Sequence, residues 1–131
     1  MNESNLGTPP AAPRLVDVDG LARALAAFAR ERDWEQFHSP KNLAMALTGE
    51  VGELCELFQW MTEADSRVAP SDPQRAQALR DELADVLLYL VRLADVLGVD
   101  LNAAAAHKLA TNAAKYPVAK ARGSSRKYTE I

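Results

Sequence analysis

The sequence from Leu43 to Leu57, LAMALTGEVGELCEL, repeats apolar residues at helical spacing. That spacing gathers them into one stripe along an α-helix. Glu50 falls in the middle of this stripe and Glu53 on its flank, whereas Glu56 turns towards the polar side. A carboxylate on the buried face of a helix is costly unless it is paired or binds a metal. The apolar members of the stripe are Leu43, Ala46, Leu47, Leu54 and Leu57.

A second acidic pair lies in the segment DELADVLLYLVRLA, residues 81–94. This helix is apolar nearly all round, which predicts burial on most of its sides. Glu82 and Asp85 nevertheless sit one turn apart on a common face, and Tyr89 lies just beyond them. If the two helices run antiparallel, four carboxylates meet in one pocket and need cations between them. Oxygen-only ligand sets suit Mg²⁺ or Mn²⁺. The alternative is a set of i,i+3 charges on solvated helix surfaces.

A di-iron bundle is excluded by the histidines. Such a site needs two Glu-x-x-His pairs on helices. The chain has two histidines, His38 and His107. The single matching spacing, Glu35 with His38, falls in a predicted loop.

Start and stop signals predict four helices and no strand. Ser39-Pro40 and Ser71-Asp72-Pro73 each combine a capping side chain with a proline in the first turn. Gly98 is typical of a helix end. Four helices favour an all-α four-helix bundle. The predicted helices run from about Asp17 to Arg32, Ser39 to Met61, Pro73 to Leu97 and Asp100 to Tyr116.

The segments outside these helices define the predicted organisation. Residues 1–14 are polar and proline-rich, which predicts a disordered tail. A helical catalytic domain is predicted at 15–117, with residues 62–72 as a long connection. Residues 118–131 form a basic, serine-containing tail that is either loose or folded onto a neighbour.

Composition narrows the class of partner and compartment. The 131 residues include 15 basic and 18 acidic side chains, a net charge of −3, which argues against a nucleic-acid polymer as partner. No signal peptide or membrane-length apolar stretch is visible, so a cytoplasmic protein is expected. The one cysteine, Cys55, permits no intrachain disulfide and fits a reducing compartment. Its place in an apolar helix predicts a small core residue.

Two further groups of residues suggest a nucleotide ligand. Lys108, Asn112 and Lys115 form a polar stripe on an alanine-rich helix and could grip phosphate oxygens, with Tyr116 next in the chain. The alternative is a solvated face. Aromatic residues flank the acidic helix and could stack on a base, beside His38, which can hydrogen-bond a base edge. They could equally be plugs at the bundle end. These aromatic residues are Trp34, Phe37 and Trp60.

These segments, taken in order, resemble a known family. DWEQFHSPKNLAMALTGEVGELCELFQW (residues 33–60), DELADVLLYLVRLA (81–94), the stripe from Lys108 to Pro117, and SSRKYTE (124–130) are similar to the MazG-like all-α nucleotide pyrophosphohydrolases. Within them the likeness is greatest to the dCTP pyrophosphatase branch. It covers roughly residues 17–130.

The resemblance implies a fold, an assembly and a reaction. It implies a four-helix domain that forms a homotetramer, a dimer of dimers, and converts dCTP, with its 5-modified forms, to dCMP and pyrophosphate. Glu53 is expected to orient or deprotonate the attacking water. Where relatives carry a base-pocket histidine in the first helix, this chain has Leu25. Two alternatives stay open: action on dUTP or other non-standard nucleotides, and a non-catalytic nucleotide-binding scaffold.

The resemblance also implies a set of site residues. Mg²⁺ is expected at Glu50, Glu53, Glu82 and Asp85. The base and sugar are expected against Trp34, His38, Trp60 and Tyr89. The phosphates are expected near Lys108, Asn112, Lys115 and Tyr116.

Overall fold

The computed structural model describes residues 16–131, so the predicted tail at 1–14 lies outside the described residues. The described part of the chain is helical and contains no β-strand, which confirms the predicted all-α class. Its helices are α1 (Val18–Glu31), α2 (Pro40–Glu56), α3 (Glu63–Arg67), α4 (Pro73–Leu97), α5 (Leu101–Lys115) and α6 (Val118–Ala121). Short 3₁₀ turns occupy Glu35–Phe37, Ala69–Ser71 and Tyr128–Glu130.

Capping side chains set the ends of the long helices where the sequence predicted them. The Ser39 hydroxyl accepts a hydrogen bond from the Asn42 N–H at 3.2 Å at the start of α2. The Asp100 carboxylate accepts one from the Ala103 N–H at 3.2 Å at the start of α5. Gly98 ends α4 in the left-handed conformation, with φ of 69°, which glycine adopts without a Cβ clash.

The connection after α2 differs from the prediction. The helix ends at Glu56, before Met61, and residues 57–60 form turns. The predicted loop contains α3 and a 3₁₀ turn, because Thr62 caps α3 by accepting from the Asp65 N–H at 3.1 Å. A one-turn helix of polar residues carries no apolar periodicity, so the sequence pattern could not show it.

The core lies where α4 packs against α2 and, less extensively, against α1. Leu43 from α2 is 2% exposed and Val91 from α4 is 1% exposed. Small residues let the helices approach closely, since Ala29 and Ala94 are also buried. This packing holds α2 and α4 side by side and so fixes the two acidic helices relative to each other.

Two burial predictions are wrong for the single chain. Leu83, Leu87 and Leu90 form an exposed apolar face on α4, because α1 and α2 cover only the other sides of that helix. Cys55 is exposed, because it lies on the side of α2 that turns away from α4.

The C-terminal segment turns back on the end of α5. The rings of Tyr116 and Tyr128 meet edge to face, with centroids 6.0 Å apart. The Lys115 Nζ lies 4.8 Å from the centroid of the Tyr128 ring. Aromatic and cation–π contacts therefore attach residues after α6 to the end of α5.

Across residues 16–131, no helix combines the length and the apolar character needed to cross a bilayer.

Candidate active site

A carboxylate cluster forms where α2 faces α4. Glu50 and Glu53 project from α2 and Glu82 from α4, and one oxygen from each lies within 4.8 Å of the others. The core packing of α2 on α4 creates this closeness, since Glu50 belongs to the same stripe as the buried Leu43. The structure thus brings together three of the four predicted metal ligands.

Two oxygens of this cluster are buried without a protein partner. The Glu50 Oε2 and the Glu82 Oε2 are inaccessible to solvent, and neither has a hydrogen bond among the described residues. A buried carboxylate oxygen left unpaired is costly, and natural structures seldom tolerate one without a ligand. The donor set is therefore oxygen-rich and convergent, and it could hold a cation.

Crowding and burial change the acidity of the cluster. Burial, with the neighbouring Glu53 carboxylate adding to it, raises the pKa of Glu50 from its ordinary 4.5 to about 7. Burial and Glu53 likewise raise the pKa of Glu82. Both shifts mean that the negative forms are disfavoured in the metal-free protein, so a divalent cation would relieve the repulsion. Such an oxygen-only set fits Mg²⁺ or Mn²⁺.

Asp85 lies beside the cluster rather than within its tightest group. It follows Glu82 by one turn of α4 and is half-buried, and its charge also contributes to the raised pKa of Glu50. It lines a cavity that adjoins the cluster. Asp85 therefore connects the acidic cluster to the cavity.

That cavity has a volume of about 180 Å³. This is smaller than the roughly 300–1,000 Å³ of a pocket for a whole drug-sized ligand, and suits one ring system. Its walls are largely apolar, with polar groups at the ends. The lining residues are Leu25, Phe28, Trp34, His38, Leu43, Asp85, Leu88, Tyr89 and Arg92.

An aromatic pair forms one wall of this cavity. The rings of Phe28 and Trp34 meet edge to face at 5.7 Å between centroids and an interplanar angle of 69°. Their contact holds the Trp34 indole in place without covering it, since Trp34 remains exposed. A fixed and accessible indole face is a stacking surface for a nucleobase.

His38 and Arg92 contribute polar groups to the lining of the cavity. The Arg92 Nε–H donates a hydrogen bond to the His38 Nδ1 at 3.0 Å. Burial, followed by the charge of Arg92, lowers the pKa of His38, although Glu35 opposes the shift. His38 is therefore neutral near pH 7. Sequence reasoning missed Arg92, although a lone arginine seven residues after Asp85 in an otherwise apolar stretch was a usable signal.

The remaining predicted substrate residues lie apart from the cavity of the single chain. Trp60 follows the end of α2 and is 91% exposed. Lys108 and Asn112 are exposed on α5, which does not pack extensively on α2 or α4. Lys115 and Tyr116 instead contact Tyr128. None of these five residues lines the cavity.

The raised pKa of Glu50 predicts a pH-dependent stability of the metal-free protein. The folded pKa of about 7 exceeds the ordinary value of 4.5, so the unfolded chain loses this proton first. Below pH 4.5 the Glu50 contribution to the pH dependence vanishes; between pH 4.5 and about 7 it becomes increasingly destabilising, and above that it is constant. Glu50→Gln removes this ionisable group. In EDTA, the amount by which its Tm exceeds the Tm of the wild type should therefore grow from about pH 5 to about pH 8. A constant difference in thermal unfolding across that range would contradict the cluster's electrostatics.

Comparison with known proteins identifies the family of the chain. The model of the MazG-like family matches residues 46–131. Human dCTP pyrophosphatase 1 is 52% identical over 114 residues, which is 87% of this chain and 67% of the human protein. Rat dCTP pyrophosphatase 1 is 51% identical over the same shares. The crystal structure of a pyrophosphatase from Archaeoglobus fulgidus has a TM-score of 0.70 at 34% identity, covering 82% of this chain and 99% of that one. The chain belongs to the MazG-like family, within the branch that contains the dCTP pyrophosphatases.

Proposed function

We propose that the protein is a Mg²⁺-dependent hydrolase that converts dCTP, and 5-modified forms of dCTP, to dCMP and pyrophosphate. One observation carries the proposal: a cluster of three carboxylates contains two buried, unpaired oxygens and lies one helical turn from Asp85, which lines an aromatic-walled cavity of single-ring size. The relatives named dCTP pyrophosphatase 1 support the hydrolase class and the nucleotide. The biological role would be removal of unwanted deoxycytidine triphosphates from the nucleotide pool.

The acidic residues would hold the cation between protein and phosphates. Glu50 and Glu82 supply the buried oxygens, Glu53 supplies an exposed carboxylate, and Asp85 lies on the cavity side. When bound, Mg²⁺, or Mn²⁺ in its place, supplies positive charge that neutralises phosphate oxygens and acidifies water. Glu50 is the most constrained of the four and acts as a ligand alone.

Glu53 is suited to act on the attacking water. It belongs to the cluster but remains exposed, so water reaches it. Glu53 would accept a proton as the water oxygen bonds to the α-phosphorus. The bond from that phosphorus to the bridging oxygen then breaks, and pyrophosphate leaves with the electron pair. General-base assistance of this kind contributes about 10²–10⁴-fold.

The cavity would take the base, and the sugar would lie at its opening. Trp34 offers its exposed indole face for stacking, and Tyr89, one turn after Asp85 on α4, lines the same cavity. The cations of α5, Lys108 and Lys115, would meet phosphate oxygens outside the cavity, with Asn112 and Tyr116 beside them.

Assembly as a dimer of dimers would complete this arrangement. The exposed leucines Leu83, Leu87 and Leu90 form an apolar face on α4, and such faces seldom remain open on a monomer. The same assembly would give partners to Trp60 and to α5, which the single chain leaves largely uncovered.

A substrate panel tests the proposed nucleotide. The purified protein with Mg²⁺ is given dCTP, 5-methyl-dCTP, dUTP, dTTP and the ribonucleotides, and monophosphate and pyrophosphate are quantified separately. We expect kcat/KM to be highest for dCTP and its 5-methyl form. A higher kcat/KM for dUTP or for a non-standard nucleotide would support the hydrolase reaction but contradict dCTP as the substrate.

A further inference from the structure

One long-range side-chain pair forms the polar end of the cavity. His38 precedes α2 and Arg92 lies late in α4, yet the Arg92 Nε–H donates to the His38 Nδ1 at 3.0 Å. The Arg92 side chain is 11% exposed, and its second contact, with Asp95, is longer at 3.4 Å. A guanidinium withdrawn this far from solvent needs hydrogen-bond partners. The pair therefore has a defined geometry in the lining of the cavity.

The contact fixes how the imidazole hydrogen-bonds. Arginine only donates, so the His38 Nδ1 must accept, and the single proton of the neutral ring resides on Nε2. Burial and the positive charge of Arg92 lower the pKa of His38, which favours this neutral form. Among residues 16–131, no group accepts a hydrogen bond from the Nε2–H. That donor is therefore free for a ligand in the cavity.

We propose that Arg92 is a positioning residue for base selection, which holds His38 as a hydrogen-bond donor and so favours cytosine over uracil. Cytosine presents two adjacent acceptors, O2 and N3, on one edge. Both bases carry O2, so on this edge they differ at N3: a donor directed to N3 is accepted by cytosine, whereas the N3–H of uracil would place donor against donor. Leu25, from α1, lines the same cavity and offers no hydrogen bond, so on that side recognition of the base edge depends on the donor that Arg92 holds on His38. The inference rests on the proposed function for the identity of its ligand.

A binding measurement tests the pair independently of turnover. We would titrate the full chain with dCMP and with dUMP in EDTA by calorimetry. The wild type should bind dCMP about tenfold more tightly than dUMP, the scale of one well-made hydrogen bond. Arg92→Met keeps the apolar stem and removes the donors, so its affinity for dCMP should fall about tenfold and the preference should approach one.

The matched control is another arginine on the same helix. Arg75 is exposed, and its guanidinium lies 3.9 Å from the Asp72 carboxylate near the start of α4. Arg75→Met should keep the wild-type preference. Thermal unfolding checks that each variant is folded, and Arg92→Leu, which also removes every donor, replaces Arg92→Met if the latter does not fold.

A double-mutant cycle separates positioning from a general structural role. If Arg92 acts through His38, Arg92→Met combined with His38→Ala should bind dCMP no more weakly than His38→Ala alone. If the two substitutions instead lowered the affinity for dCMP additively, the proposal that Arg92 acts through His38 would be wrong.

The possible results distinguish this inference from the proposed function. A protein that hydrolyses no nucleotide but prefers dCMP through Arg92 would refute the proposed function and support the pair's role. An unchanged dCMP preference in Arg92→Met, or no preference in the wild type, would overturn the inference whatever the activity.

Discussion

Glu53→Gln should lower kcat for pyrophosphate release from dCTP by about 1000-fold, because it removes a metal ligand and the proposed base together. The change keeps the size of the side chain and deletes its charge. Glu53 raises the pKa of both Glu50 and Glu82, so its charge destabilises the metal-free cluster. In EDTA, the Tm of the variant should therefore equal or exceed the Tm of the wild type. Steady-state kinetics and thermal unfolding measure the two effects.

Glu56→Gln is the matched control for this variant. Glu56 is exposed on the same helix, three residues after Glu53, and lies outside the cluster. Its substitution should leave kcat within about twofold of the wild type, as is usual for surface positions. Equal losses in both variants, or full activity in Glu53→Gln, would contradict the assignment.

Leu43→Ala should lower the free energy of unfolding by about 3 kcal/mol, the usual cost of removing a buried leucine and leaving a cavity. Leu43 is 2% exposed between α2 and α4, and it also lines the ligand cavity. Its loss should therefore weaken the packing that holds Glu50 against Glu82, and affect stability and nucleotide affinity together. Urea denaturation gives the first quantity and dCMP titration the second.

An exposed apolar residue on the same helix provides the comparison. Met45 is 65% exposed, so Met45→Ala should change the unfolding free energy by less than about 0.5 kcal/mol. If both variants lost the same stability, the α2–α4 contact would not be the core that positions the cluster.

The sequence predicted the parts of the fold that depend on local signals. α4 spans Pro73–Leu97 as predicted, because the Asp72 cap, the following proline and the left-handed Gly98 are all encoded within a few residues of the helix ends. α3 was missed because one polar turn carries no periodicity. The exposure of Leu87 was missed because a hydrophobic pattern shows which residues favour burial, but not which other part of the protein covers them.

The acidic cluster was predictable because it violates the pattern around it. Glu50 interrupts an apolar stripe, and the structure places it against Glu53 and Glu82. The contact of His38 with Arg92 joins residues 54 positions apart, which no local spacing could indicate. Trp60 was predicted from its aromatic ring and from the family resemblance, and the single chain leaves it 91% exposed.

The most direct test of the central claim is one reaction: the wild-type protein with dCTP, in Mg²⁺ or in EDTA, with pyrophosphate, inorganic phosphate and dCMP quantified separately. The account predicts equal amounts of dCMP and pyrophosphate in Mg²⁺, no inorganic phosphate, and no product in EDTA. Equal turnover in EDTA would contradict a metal role for the Glu50, Glu53 and Glu82 cluster. Absence of any product from the folded protein in Mg²⁺ would contradict the hydrolase itself.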